Sequence, residues 1–197
     1  MNDFTLAKVH HNAGRFLDAE QAYRRVLDAD PENVVALNLL GTLERQRGRL
    51  VAAAEHFAKA TEIEPGNPEY PFNLADIWNA LGEPENAIAT LRDFVELVPG
   101  NADAHFHLGL MLVRQGDLDG AIADLEAAGE ADGARVAVHC ALGNAFLERG
   151  GPGDKEKSLA SFQHAAELDP RSQEALVGFA SANAALGHTR DAAIAFQ

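Results

Sequence analysis

The sequence predicts an all-α chain of antiparallel helical hairpins joined in series, and two observations lead there. The first is an internal period. Glycines fall at Gly14, Gly48, Gly82, Gly116 and Gly150, each 34 residues after the last, and then at Gly187 after a step of 37. Prolines keep the interval at Pro31, Pro65 and Pro99, give way to Gly133, and resume at Pro170. Small residues keep it at Ala19, Ala53, Ala87, Ala121, Ser158 and Ala192. Three series with one period and one slip define a repeat, and a repeat decides the fold ahead of any local motif. The second observation is that apolar residues between these punctuation marks recur at helical spacing.

The repeats span approximately residues 1–33, 34–67, 68–101, 102–135, 136–172 and 173–197, as one array. The first turns at Gly14 and ends near Pro31. In the second, Val34, Leu37, Leu40, Gly41 and Leu43 trace one helix, and Gly48 supplies a helix-ending residue that tolerates positive φ. A second helix follows through Leu50, Ala53, Ala54, Phe57, Ala60, Thr61 and Ile63 and stops at Pro65, which cannot continue it. Gly41 and Ala53 are small where the two helices should come closest, with Leu40 and Phe57 filling the space beside them. The third repeat turns at Gly82, and its Pro71 lies in the first helical turn, where a missing N–H is tolerated. The fourth carries Gly129 and Gly133 near the end of its second helix; glycine costs about 1 kcal/mol in a helix interior, so this is expected to be the weakest joint. The fifth holds a three-residue insertion within LERGGPGDKEKS, read as a flexible turn. The sixth stops partway through its second helix, at Phe196-Gln197.

This pattern resembles the tetratricopeptide repeat, TPR. The second repeat carries it on Leu37, Leu40, Gly41, Gly48, Ala53, Phe57, Ala60 and Pro65. The third does so on Leu74, Ala75, Trp78, Gly82, Ala87, Leu91 and Pro99, and the fourth on Leu108, Gly109, Gly116, Ala121, Leu125 and Ala128. The resemblance implies a right-handed solenoid whose first helices line a concave groove for an extended peptide or a partner helix. Ankyrin repeats need a Thr-Pro-Leu-His signature that is absent, and HEAT and armadillo units are longer.

Composition narrows the function. The chain has 197 residues and a formal net charge of −14. Residues 62 to 130 hold fourteen acids and two bases, whereas residues 1 to 61 are balanced at eight of each. A nucleic-acid binder needs Lys and Arg to displace counterions from phosphates, so this distribution opposes DNA or RNA and suits a basic partner. No apolar run approaches the roughly 18 residues of a membrane span, and the N-terminal sequence lacks the regions of a signal peptide. With a single cysteine, Cys140, neither an internal disulfide nor a zinc finger is available. A cytoplasmic protein is expected.

No catalytic constellation emerges, and no enzyme, cofactor or metal is expected. GGPGDKEKS lacks the Gly-Lys-Ser/Thr ending of a phosphate-binding loop, and nucleophile-elbow, HExxH and EF-hand patterns are absent. His105 and His107 diverge by about 200° on a helix, and His10 and His11 by about 100°. One period separates His105 from His139, so those two are candidates to face each other, without a third ligand.

Under the TPR resemblance, one groove-facing residue per repeat gives Phe4, Asn38, Phe72, Phe106, Cys140 and Val177. Phe72 and Phe106 either form an exposed apolar strip or pack between helices. Glu69, Asp76 and Asp103 lie within a turn of them, with Asn79 and Arg114 further along the face. Lys8 and Asn38 stand near where chaperone-binding TPR domains place a carboxylate clamp, but the third repeat offers Glu69, Phe72 and Asp76 instead of cations. An asparagine ladder, as in the TPR arm of O-linked N-acetylglucosamine transferases, needs Asn at 34-residue steps; Asn38 leads to Phe72 and Phe106, and Asn73 to His107. The expectation is a scaffold that binds a basic, partly apolar peptide. Alternatives are a substrate-recruiting arm of a larger enzyme, such as a glycosyltransferase, or a scaffold that self-assembles through the incomplete last repeat.

Overall fold

The computed structural model describes residues 2–188. All regular structure among them is helical. The first compact unit, Met1–Pro99, holds α1 (Asp3–Asn12), α2 (Phe16–Ala29), α3 (Val34–Gln46), α4 (Leu50–Ile63), α5 (Glu69–Leu81) and α6 (Pro84–Leu97). The second, Gly100–Gln197, holds α7 (Ala102–Gln115), α8 (Leu118–Ala131), α9 (Val136–Arg149), α10 (Asp154–Leu168) and α11 (Gln173–Ala185). Helices pair as hairpins, α1 with α2, α3 with α4, α5 with α6, α7 with α8 and α9 with α10. The second helix expected after Gly187, with Ala192, Phe196 and Gln197, lies outside the described residues.

The periodic glycines sit at the hairpin turns. Gly82 (φ 78°) and Gly116 (φ 82°) end α5 and α7 in the left-handed region, where a Cβ would be strained, and the next helix starts within two residues. Pro84 opens α6, where its missing N–H is no loss. Asparagines at the same period stand at the starts of the first helices: Asn33 and Asn101 cap α3 and α7, accepting from Ala36 N–H at 3.0 Å and Ala104 N–H at 2.8 Å, while Asn67, one residue before the Pro68 cap of α5, accepts from Glu69 N–H at 3.2 Å.

Small residues set the helix approach. A Cβ on Gly41 would lie 2.9 Å from the Phe57 ring, and one on Gly109 2.7 Å from Leu125. In the second unit one ring serves two helices: a Cβ would come within 2.5 Å of Phe162 from Gly143 and within 2.0 Å from Gly178. Phe162 is fully buried, sharing its core with Cys140, Ala165, Ala175 and Ala182. Helix α8 runs unbroken through Gly129 to Ala131.

The inserted turn is tied down rather than loose. Gly150 (φ 65°) ends α9, and Arg149 grips Asp154, the first residue of α10, with two hydrogen bonds of 2.8 and 2.7 Å. Asp154 also accepts from Gly151 N–H at 2.8 Å, and Arg149 reaches Asp119 at 2.7 Å. The Asp154 carboxyl is pulled down to about 2 by the Arg149 hydrogen bonds, against the cost of its desolvation. Where the other second helices present alanine, Ser158 donates to Gly143 C=O at 2.8 Å and satisfies itself in the hairpin contact.

A charged cluster lies under the first two hairpins. Glu44 of α3 is fully buried and ion-pairs with Arg49, with Arg24 at 3.9 Å. Glu20 of α2 accepts from Arg24 at 2.9 Å, from Arg49 at 2.6 Å and from Arg47. Burial alone would raise the Glu20 carboxyl, yet the three arginines hold it below its usual value.

Candidate functional site

The first helices of the first unit carry a polar seam. Asn38 of α3 is 7% exposed, and both ends of its carboxamide are used: Nδ2 donates to Glu69 Oε1 at 2.6 Å, and Oδ1 accepts from Asn73 Nδ2 at 3.2 Å. A buried amide requires such partners. Asn38 and Asn73 are 35 residues apart, one more than the period, which is why a 34-residue step passes over the pair. Glu69 and Asp76 are exposed, and Asn79 is half-buried. Lys8 is exposed on α1 with its ammonium 5.7 Å from the Phe4 ring centre. Phe72 is half-buried and packs its ring on Phe94, with centres 6.1 Å apart.

In the second unit Arg135 organises the corresponding positions. Its guanidinium lies over the Phe106 ring, 4.3 Å from the centroid, and hydrogen-bonds to Asp103. Phe106 is 9% exposed and belongs to the core of Leu125, Val138 and Leu142. Of the two arrangements the sequence left open, Phe106 takes the packed one, with Arg135 over its ring. Position 135 is where the helix-start asparagines of the earlier repeats fall; α9 has no side-chain cap, and Arg135 lies over Phe106 instead. That break in the series Asn33, Asn67, Asn101, Arg135 was the signal in the sequence for this arrangement. Arg114 is exposed near the end of α7.

The expected groove column is uneven in exposure. Asn38, Phe106 and Cys140 are buried, Phe4 and Phe72 half-buried, and Val177 is 51% exposed. Cys140 is drawn inward where Gly143 and Gly178 bring α9 and α11 onto Phe162; burial, with Glu174 nearby, pushes its thiol up to about 11, so it is protonated and unreactive at neutral pH. The histidines take separate partners. His105 Nδ1 lies 2.8 Å from Asp124, while His139 meets the His164 ring edge to face at 4.3 Å, with its Nε2 3.0 Å from Gly133 C=O. Among the described residues no three His, Cys, Asp or Glu side chains converge as a metal site would require.

A family model for the tetratricopeptide repeat matches residues 4–68 and 72–135, together more than half of the chain. Among solved structures, MamA is 25% identical with a TM-score of 0.72, over 86% of this chain and 91% of that one. A tetratricopeptide repeat protein from Parabacteroides merdae ATCC 43184 is 20% identical with a TM-score of 0.74, over 98% of this chain and 75% of its own. YrrB, described as a TPR protein with an unusual peptide-binding site, is 22% identical with a TM-score of 0.69, over 88% of both chains. No curated protein sequence matches significantly.

Proposed function

The chain belongs to the tetratricopeptide repeat family, and we propose that it is a non-catalytic scaffold whose first-helix face in the first unit binds an arginine- or lysine-bearing peptide of a partner protein. One observation carries this reading. In the second unit, an acid and a phenylalanine three residues later, Asp103 and Phe106, hold the guanidinium of Arg135 by a charged hydrogen bond and ring stacking. One period earlier the same pairing recurs as Glu69 and Phe72, and among the described residues the Glu69 carboxylate is met by the neutral amide of Asn38 and by no cation within ion-pair distance. Arg135 thus serves as an internal template for the ligand.

A charge-assisted hydrogen bond contributes about 1.5–3 kcal/mol. Cation–π contact adds about 0.5–2 kcal/mol. Asp76 adds negative charge one turn beyond Phe72 on α5, with Asn79 further along that helix and Lys8 exposed on α1. Asn73, half-buried, keeps its carbonyl oxygen and a second N–H beyond the bond it donates to Asn38, which suits the backbone of an extended peptide. In the second unit, Asp103, Phe106 and Arg114 would receive a ligand only once Arg135 swings aside. Family membership supports the coarse function, protein or peptide binding. A cytoplasmic setting belongs to the same proposal, and no described helix is long and apolar enough to cross a membrane.

The test is titration of a fluorescein-labelled peptide of arginine and leucine into the wild type and into Glu69→Gln and Phe72→Ala variants. Each substitution is expected to weaken binding by about tenfold, the equivalent of 1.4 kcal/mol. Unchanged affinity in both variants contradicts the assignment.

A further inference from the structure

Helices α4 and α6, the second helices of their hairpins, leave a groove of about 240 Å³ between them. Its floor is apolar: Leu74 and Phe94 are 7% and 3% exposed. Ala58, Pro65 and Leu97 continue the lining, and Leu97 is 54% exposed, a leucine whose side chain is largely left to water. Two threonines that would otherwise make the walls polar do not. Thr61 donates its hydroxyl proton to Phe57 C=O at 2.9 Å and Thr90 donates to Asn86 C=O at 2.8 Å, each within its own helix. Two acids complete the lining, Glu62 from α4 and Asp93 from α6; both are exposed, and neither has an ion-pair partner among the described residues. No Lys or Arg lines the groove.

We propose that this groove is a second docking surface, for a partner-protein segment that seats an aliphatic side chain on Leu74, Phe94 and Leu97 and brings lysine or arginine to Glu62 and Asp93. Charge decides the occupant. An apolar floor takes any aliphatic side chain, but two unpaired carboxylates at the margin favour one flanked by cations and repel one flanked by acids. A second copy of this chain fits poorly, since it carries a formal net charge of −14. Lysine and arginine suit the site doubly, because their methylene stems cover apolar surface while the charged head stays at the wet rim.

The experiment uses the full chain and a fluorescein-labelled amphipathic peptide of leucine and lysine, with binding read by anisotropy. Thr61→Trp fills the groove, and Glu62→Lys with Asp93→Lys reverses its rim at exposed positions that folding tolerates. Each is expected to weaken binding by about tenfold or more. A control reversing Glu126 and Glu130 of α8 is expected to leave most of the affinity, and the groove variants are repeated in a Glu69→Gln background, which weakens the first-helix face while the Phe72 ring stays against Phe94; the tenfold loss is expected to persist there, which separates this surface from the first-helix face. Unchanged binding in the rim variant overturns the proposal. Equal weakening by the α8 control reduces the effect to bulk charge and also overturns it. So does a concentration-dependent dimer of the chain alone that Thr61→Trp abolishes, because the groove then belongs to a second copy.

Discussion

Gly178 has no room for a methyl group: its Cβ would stand 2.0 Å from a ring that is itself fully buried and already approached by Gly143. Gly178→Ala recovers about 1 kcal/mol of helix propensity. Overpacking costs about 1–3 kcal/mol and is expected to prevail, because Phe162 is pinned from two helices and cannot retreat. Urea unfolding should show a lower midpoint for Gly178→Ala than for Gly41→Ala, whose Cβ would meet the Phe57 ring at 2.9 Å. A second residue-scale expectation concerns Glu44. Arg49→Met strands a buried carboxylate and should lower the melting temperature. Adding Glu44→Leu should recover most of that loss, since apolar residues of similar volume replace a buried ion pair at little or no cost. Calorimetry of the two variants checks it, and an additive double variant contradicts it.

At the scale of the element, the fifth hairpin differs from the others in how its turn is closed. The Asp154 carboxyl is held near 2 by Arg149, below the ordinary carboxylate range, so the folded state binds its proton more weakly than the unfolded chain. The stability this supplies is complete above about pH 4 and is lost as the pH falls toward 2. Asp154→Asn should therefore be less stable than wild type at neutral pH, with the gap narrowing as acid is added; thermal melts at pH 7, 4 and 2.5 read this directly. The placement of this hairpin was legible because turn glycines and contact glycines obey backbone constraints that repeat with the helices. Its clasp was not, since GGPGDKEKS shows glycines and charges without saying that Arg149 turns toward Asp154. Position 135 shows the same limit. The asparagine series ends there, but what arginine does in place of asparagine depends on Phe106, 29 residues earlier and brought close only by packing. Glu44 was hidden for a similar reason, as its partners Arg24 and Arg49 come from two other elements.

For the molecule as a whole, family membership supports protein or peptide binding, and the proposed basic partner rests on the charge distribution. The acidic stretch from residue 62 to 130 supplies both Glu69 and Asp76 on the first-helix face and Glu62 and Asp93 at the α4–α6 groove. Opposite charges at exposed margins attract over about one Debye length, roughly 8 Å at physiological salt, so association with a basic partner should slow and weaken as salt rises. The sequence conveyed that charge and the hairpins that carry it. It did not convey that Arg135 meets Asp103 and Phe106 while Glu69, one period before Asp103, has no ion-pair partner among the described residues. The central claim is that Glu69 and Phe72 grip a partner's cation as Asp103 and Phe106 grip Arg135. The most direct measurement is isothermal titration of an arginine- and leucine-containing peptide into wild type and into the Glu69→Gln, Phe72→Ala double variant. The account predicts salt-sensitive binding that the double variant loses by more than tenfold while it remains folded, with a melting temperature lowered by the loss of the Phe72–Phe94 contact. Equal affinity for the two proteins, with both folded, would contradict it.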